Sequence, residues 1–226
     1  MKRARSAAAC ALLLGTAGLA AAQPAGLGRR IAAEGLPASN VAACATCHGA
    51  RGEGMAAANF PRLAGQSGGY LLRQMQNFVD GSRPHPVMTP IARGLTREQA
   101  QAVTDFYAAL PAVPGGTAAP MPPGAAERGR RLAETGDDAL QVQACANCHG
   151  PGGRGEPPVF PMLAGQHAGY LRAALAQWKS GERRNDASGQ MQAIAARLGE
   201  ADLDALAAHY AALPAAAAPA GRAAGS

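Results

Sequence analysis

The chain is one sequence plan written twice. Gly28-Arg29-Arg30 returns as Gly129-Arg130-Arg131, and Ala43-Cys44-Ala45-Thr46-Cys47-His48-Gly49 returns as Ala144-Cys145-Ala146-Asn147-Cys148-His149-Gly150. Phe60-Pro61 with Leu63-Ala64-Gly65-Gln66 is matched by Phe160-Pro161 with Leu163-Ala164-Gly165-Gln166. Tyr70-Leu71 is matched by Tyr170-Leu171, and Tyr107-Ala108-Ala109-Leu110 by Tyr210-Ala211-Ala212-Leu213. The offset stays between 100 and 103 residues. Whatever fold one copy adopts, the chain must therefore contain it twice.

The divisions follow from this repeat. Residues 1–22 read as a cleaved signal peptide: Lys2, Arg3 and Arg5 precede an apolar stretch, and Ala20-Ala21-Ala22 supplies small residues before Gln23. Export to the periplasm is the expectation. The apolar stretch is short for a membrane span, and Gly15 and Gly18 interrupt it. Residues 23–112 form the first expected domain, 113–124 a Pro- and Gly-rich linker, 125–214 the second domain, and 215–226 a disordered tail.

Two units of this size lie near the limit at which a protein-only core is sufficient. Aromatic residues make up only 4% of the chain, and Gly and Pro are abundant. A large apolar cofactor would complete each core. The charge of +6 invites a nucleic-acid reading, but three of the cations lie in the leader. Residues 23–226 hold 18 basic and 15 acidic side chains, with no basic run interleaved with aromatics. Nucleic acid is not an expected partner.

The regular elements read as helices. Thr96 with Gln99 fits a capping box, and Ala100, Val103, Phe106, Tyr107 and Leu110 follow at helical spacing. Leu203, Leu206, Tyr210 and Leu213 repeat the stripe behind Gly199, a poorer start. Leu71, Met75 and Phe78 mark another helix, matched by Leu171, Leu175 and Trp178. Strand-like alternation is missing, so the expected fold class is all-α in two tandem domains.

The chemistry lies in Cys-x-x-Cys-His, at Cys44, Cys47 and His48 and again at Cys145, Cys148 and His149. This spacing sets two thiols against the two vinyl groups of one haem, with the adjacent His beneath the iron. A zinc site would have to join pairs about a hundred residues apart, far beyond usual ligand spacing. A thioredoxin-like pair needs a βαβ context, and disulfides leave the two histidines unexplained. Two covalently bound haem c groups are the expected cofactors, adding four propionates that carry about −4 if they ionise normally.

A six-coordinate haem needs a second axial ligand. Met88 and Met191 lie 40 and 42 residues after their respective histidines and correspond between the copies. Met55, Met75, Met121 and Met162 have no such match. The axial metal ligands are thus expected to be His48 with Met88 and His149 with Met191. Pro84, Pro86 and Pro90 should hold the Met88 loop extended and stiff; the proline-free 185–190 loop should hold Met191 less rigidly. His48 and His149 should donate their other ring N–H to a backbone carbonyl. His85, His167 and His209 read as surface or packing residues; His85, three residues from Met88, is the one candidate among them for a competing ligand.

These residues resemble the cytochrome c4 family of dihaem class I cytochromes. The resemblance covers about Gly26 to Leu213 and rests on the paired Cys-x-x-Cys-His-Gly motifs, the Phe-Pro-x-Leu-Ala-Gly-Gln segments, Gly181-Glu182-Arg183-Arg184-Asn185-Asp186 and the stretch after Met191. It implies two cytochrome c folds related by a pseudo-twofold, and a periplasmic role with loose peripheral membrane association. It also implies electron transfer from a respiratory donor complex to a terminal oxidase. An electron carrier is expected here, not an enzyme, and a monomer. The alternatives are the electron-accepting haem subunit of a dehydrogenase, and a dihaem peroxidase if one iron lacks its Met. Residues 23–122 carry +3 and residues 123–226 zero, so the first half is the expected dock for an acidic partner, with Arg83 and Arg93 exposed to it.

Overall fold

In each copy two helices cross so closely that only glycine fits between them. The computed structural model describes residues 24–113 and 122–215. The leader, most of the linker and all but the first residue of the tail lie outside the described residues. The first copy contains α1 (Pro24–Glu34), α2 (Ala45–His48), α3 (Gly68–Asp80), α4 (Met88–Arg93) and α5 (Arg97–Ala109). The second repeats the order with α6 (Ala125–Glu134), α7 (Ala146–His149), α8 (Ala168–Ser180), α9 (Gln190–Arg197) and α10 (Glu200–Ala212). Among the described residues there is no strand, only isolated bridges such as Leu36 with Val41 and Asp137 with Val142. None of the described helices is long and apolar enough to cross a membrane. The all-α, two-domain expectation holds.

The repeated Gly28 and Gly129 mark the helix crossings. A Cβ at Gly28 would lie 2.0 Å from the Ala102 carbonyl oxygen, and one at Gly129 would lie 2.3 Å from that of Ala205. Around the α1–α5 crossing Ile31, Leu71, Val103 and Tyr107 form the first core. Leu132, Leu171, Leu203, Leu206 and Tyr210 form the second around α6–α10. The helix starts differ. Thr96 and Gln99 make the full capping box, with the Thr96 hydroxyl accepting from Gln99 N–H at 3.3 Å and Gln99 Oε1 from Thr96 N–H at 2.8 Å. At α10 only half exists: Asp202 accepts from Gly199 N–H at 3.0 Å, and glycine has no side chain to return the bond.

The proline-rich Met88 segment departs from expectation. It is not extended throughout, because Met88 itself opens α4. Pro90 lies in the first turn of that helix, where an absent N–H costs nothing.

The two copies meet through reciprocal glutamines. Gln66 Nε2 donates to Met162 O at 3.0 Å, and Gln66 Oε1 accepts from Met162 N–H at 3.0 Å. Gln166 does the same to Arg62 of the first copy, at 3.0 and 2.8 Å. Each buried amide is satisfied by the partner copy's backbone, the pattern of an isologous twofold contact.

Candidate haem sites

Both Cys-x-x-Cys-His motifs fold as a single helical turn with the histidine at its end, buried in each case. The four thiols are unpaired. Cys44 Sγ faces Ile31 O at 3.9 Å and Cys145 Sγ faces Leu132 O at 3.6 Å, so one thiol of each pair is set against the first helix of its domain. Burial pushes both of these thiols' pKa values up. Among the described residues no group of three or more His, Cys, Asp or Glu side chains gathers in a metal-holding arrangement.

The imidazoles are oriented identically. His48 Nδ1 donates to Pro61 O at 2.9 Å, and His149 Nδ1 donates to Pro161 O at 2.9 Å. This names the carbonyls that the sequence left unidentified. It also commits Nδ1, leaving Nε2 as the nitrogen free to ligate. Burial lowers the pKa of both rings, more than the proline carbonyls raise it, so both are neutral, as a ligand must be. Backbone bonds brace the turn: Gly54 N–H donates to His48 O and Gly155 N–H to His149 O, both at 2.7 Å. Phe60 and Phe160 stand by their imidazoles with ring centroids 6.2 and 6.0 Å away. Paired free thiols and a fixed neutral imidazole fit haem c in each domain.

Met88 and Met191 are both half-buried, at or near the starts of α4 and α9. After burial, the charge of the nearby His85 also lowers the His48 pKa. His85 is also more than a packing residue. Its Nδ1 accepts from the backbone N–H of Val87 at 3.2 Å and of Met88 at 3.1 Å. In the second copy Asp186 takes this place, accepting from Met191 N–H at 2.7 Å and Ser188 N–H at 3.1 Å. The proline-free loop is thus braced by a carboxylate and is not simply the looser of the two. The other methionines stand apart: Met55 is exposed and Met162 is buried against Gln66.

Arg83 corrects the docking expectation. It is only 8% exposed, beneath the surface at the domain seam, so it offers nothing to an acidic partner. His167, expected to be surface or packing, is a seam residue whose Nε2 hydrogen-bonds Glu53 O of the first copy at 2.9 Å.

Residues 32–110 and 126–213 each match the family model described as Cytochrome c. The chain belongs to the cytochrome c family, in its tandem, cytochrome c4-like form. It is 44% identical over 174 residues to a thiosulfate dehydrogenase electron acceptor of Thiomonas intermedia (strain K12), covering 76% of this chain and 79% of that one. Reduced recombinant cytochrome c4 from Pseudomonas stutzeri superimposes with a TM-score of 0.73 at 29% identity, over 85% of this chain and all of that one. Thiosulfate dehydrogenase (TsdBA) from Marichromatium purpuratum gives 0.78 at 43% identity, over 83% of this chain but 40% of that one. This dihaem cytochrome therefore carries two covalently bound haem c groups and is an electron carrier with redox partners.

Proposed function

We propose that this dihaem cytochrome is the periplasmic acceptor of electrons from a dehydrogenase that oxidises thiosulfate, and passes them on one at a time. The observation that carries the reading is the 44% identity to a thiosulfate dehydrogenase electron acceptor, with TsdBA as a structural neighbour. In this reading Cys44 with Cys47, and Cys145 with Cys148, form the thioether links. His48 and His149 are the proximal ligands, and Met88 and Met191 the distal ones. Bound haem c supplies a reversible one-electron iron couple.

The chain's own residues set the conditions for that couple. The proline carbonyls fix each imidazole's tautomer and rotation, so the ligand needs no reorientation when the charge at its site changes. Met88 and Met191 would hold the iron from the side away from the histidines, which would keep peroxide and other small ligands out. His85 and Asp186 hold the backbone from which those methionines project.

The test is direct. Oxidised protein is mixed with thiosulfate dehydrogenase and thiosulfate while visible absorption is followed. Reduction of both haems at the dehydrogenase's turnover rate supports the proposal. The second reading, a respiratory carrier feeding a terminal oxidase, is favoured by the full-length match to cytochrome c4. It takes over if the dehydrogenase leaves the protein oxidised while an oxidase rapidly drains the reduced form. A high-spin or cyanide-binding haem in the same samples would remove a methionine assignment and favour a peroxidase. An N-terminus at Gln23 on protein recovered from the periplasm tests the export step.

A further inference from the structure

Among the described residues four buried side-chain polar atoms find no hydrogen-bond partner, and two of them are the same atom of one repeated residue: the hydroxyls of Tyr107 and Tyr210. These tyrosines lie on α5 and α10 and are only 3% and 4% exposed. Burying a hydroxyl with nothing to bond is costly, and phenylalanine would avoid the cost. Both copies keep tyrosine. Each residue is also fixed in place. Its backbone carbonyl accepts from Gly65 N–H at 3.1 Å or Gly165 N–H at 2.8 Å. Its ring lies against a glycine: a Cβ at Gly52 would meet Tyr107 Cδ1 at 2.8 Å, and one at Gly153 would meet Tyr210 Cε1 at 2.5 Å.

Beside each of these tyrosines is the first thiol of its own domain's motif. Cys44 packs against the core that contains Tyr107, and Cys145 against the core that contains Tyr210. Burial first, and the neighbouring cysteine second, raise the pKa of both phenols, so each keeps its proton and is a donor. The thiols are turned elsewhere. Cys44 Sγ donates to Ile31 O at 3.9 Å and Cys145 Sγ to Leu132 O at 3.6 Å. In both domains a held donor therefore stands next to a sulfur that is itself spending its hydrogen on a helix carbonyl.

We infer that Tyr107 and Tyr210 each donate a hydrogen bond to the sulfur of Cys44 or Cys145 once that sulfur is a thioether of haem c, and so act as positioning residues for the first link of each cofactor. This rests on the haem assignment but not on the identity of the electron donor. Attachment adds S–H across a vinyl double bond: sulfur bonds one carbon and the hydrogen goes to the other, with no oxidant or reductant consumed. The sulfur thereby loses its only hydrogen and keeps its lone pairs. It changes from donor to acceptor, which is what the unanswered phenol lacks. The bond also draws electron density from the macrocycle, which favours the reduced iron.

The experiment records resonance Raman spectra of the two-haem protein in H2O and, after full exchange, in D2O. A thioether sulfur has no exchangeable hydrogen, so a solvent-isotope shift of the carbon–sulfur stretching bands reports a donor from outside. The native protein should show that shift. Tyr107→Phe, which keeps the ring, should remove the first haem's share, Tyr210→Phe the second's, and the double variant the whole. Each single variant should also lower the midpoint potential of its own haem and leave the other unchanged. Ser82→Ala removes another buried, unanswered hydroxyl and should leave the isotope shift intact. A native protein without the shift overturns the inference even if no variant folds, as does a shift that survives in the double variant. The hydroxyls would then belong to trapped water. The pyridine haemochrome spectrum counts thioether links in the same samples. A free vinyl group in the native protein would overturn the haem assignment beneath the inference, a failure with its own signature.

Discussion

The first domain's helix crossing is held by apolar contact, while the matching crossing in the second is laced by charge. Leu27 and Leu36 pack on the α1–α5 core. At the corresponding places, α6 carries Arg128 and the next loop Asp137, and Asp202 replaces Gln99 at the start of the last helix. Arg128 bonds Asp202 at 2.6 Å through Nε and Asp137 through Nη1. The glycine in the crossing is common to both. The fold dictates the close approach of the helices; how their ends are tied is open to the sequence.

The sharpest way to break this comparison is to attack what the domains share. Gly28→Ala puts a methyl group 2.0 Å from a backbone oxygen and Gly129→Ala one at 2.3 Å. Overpacking of this kind costs about 3 kcal/mol or more. Thermal unfolding should show each variant destabilising its own domain, Gly28→Ala the more.

Attacking the difference should affect one domain only. Asp202→Asn is expected to cost about 1–2 kcal/mol, measured by hydrogen exchange in α6 and α10, with α1 and α5 unchanged. The pH dependence follows. Arg128 holds the Asp137 carboxyl below its ordinary 3.8; Asp202, which burial alone would raise, is brought below 3.8 by the hydrogen bond from Arg128. A depressed carboxylate binds more protons in the unfolded chain, so its contribution is complete above pH 3.8 and disappears as pH falls through the native value. Below pH 3.8 the second domain should lose this contribution, and Asp202→Asn should reduce the loss.

The methionine segments sharpen the comparison in smaller steps. His85→Ala and Asp186→Ala each remove an acceptor for the N–H of the proposed ligand residue, a change worth about 1 kcal/mol. Each should weaken the methionine–iron absorption band of its own haem only, with the larger loss at Asp186, whose bond is charge-assisted. The smallest effect is a gain. Gly199→Ser supplies the missing half of the α10 capping box and should stabilise that domain by a few tenths of a kcal/mol, seen as a slightly raised denaturant midpoint.

Much of this was legible beforehand, where the signal was local. The repeat, the helical stripes and the five-residue motif each declare themselves within one stretch of chain. So did the need for a carbonyl behind each histidine, though only the fold could name Pro61 and Pro161. What escaped was long-range. Arg83 reads as a surface cation in sequence because nothing nearby tells that Tyr170 will cover it. His85 lacks a counterpart by residue type, since the second copy meets the same backbone demand with Asp186. The glutamines ending each Leu-Ala-Gly-Gln segment were visible as a repeat but not as a contact. A polar residue kept in both copies inside an apolar run was the available sign, because a buried amide must find its partners somewhere.

Those glutamines also bear on ancestry. Each grips the main chain of the other copy, at Arg62 in one direction and Met162 in the other, so the grip ignores which side chain stands there. A single copy carries both the hook and the eye. An unduplicated precursor could thus have paired with its twin through this same face, and gene fusion would have made permanent a partnership that previously depended on concentration. Once joined, the halves were free to differ in the side chains at the gripped positions, as Arg62 and Met162 do, because the glutamines hold only backbone there.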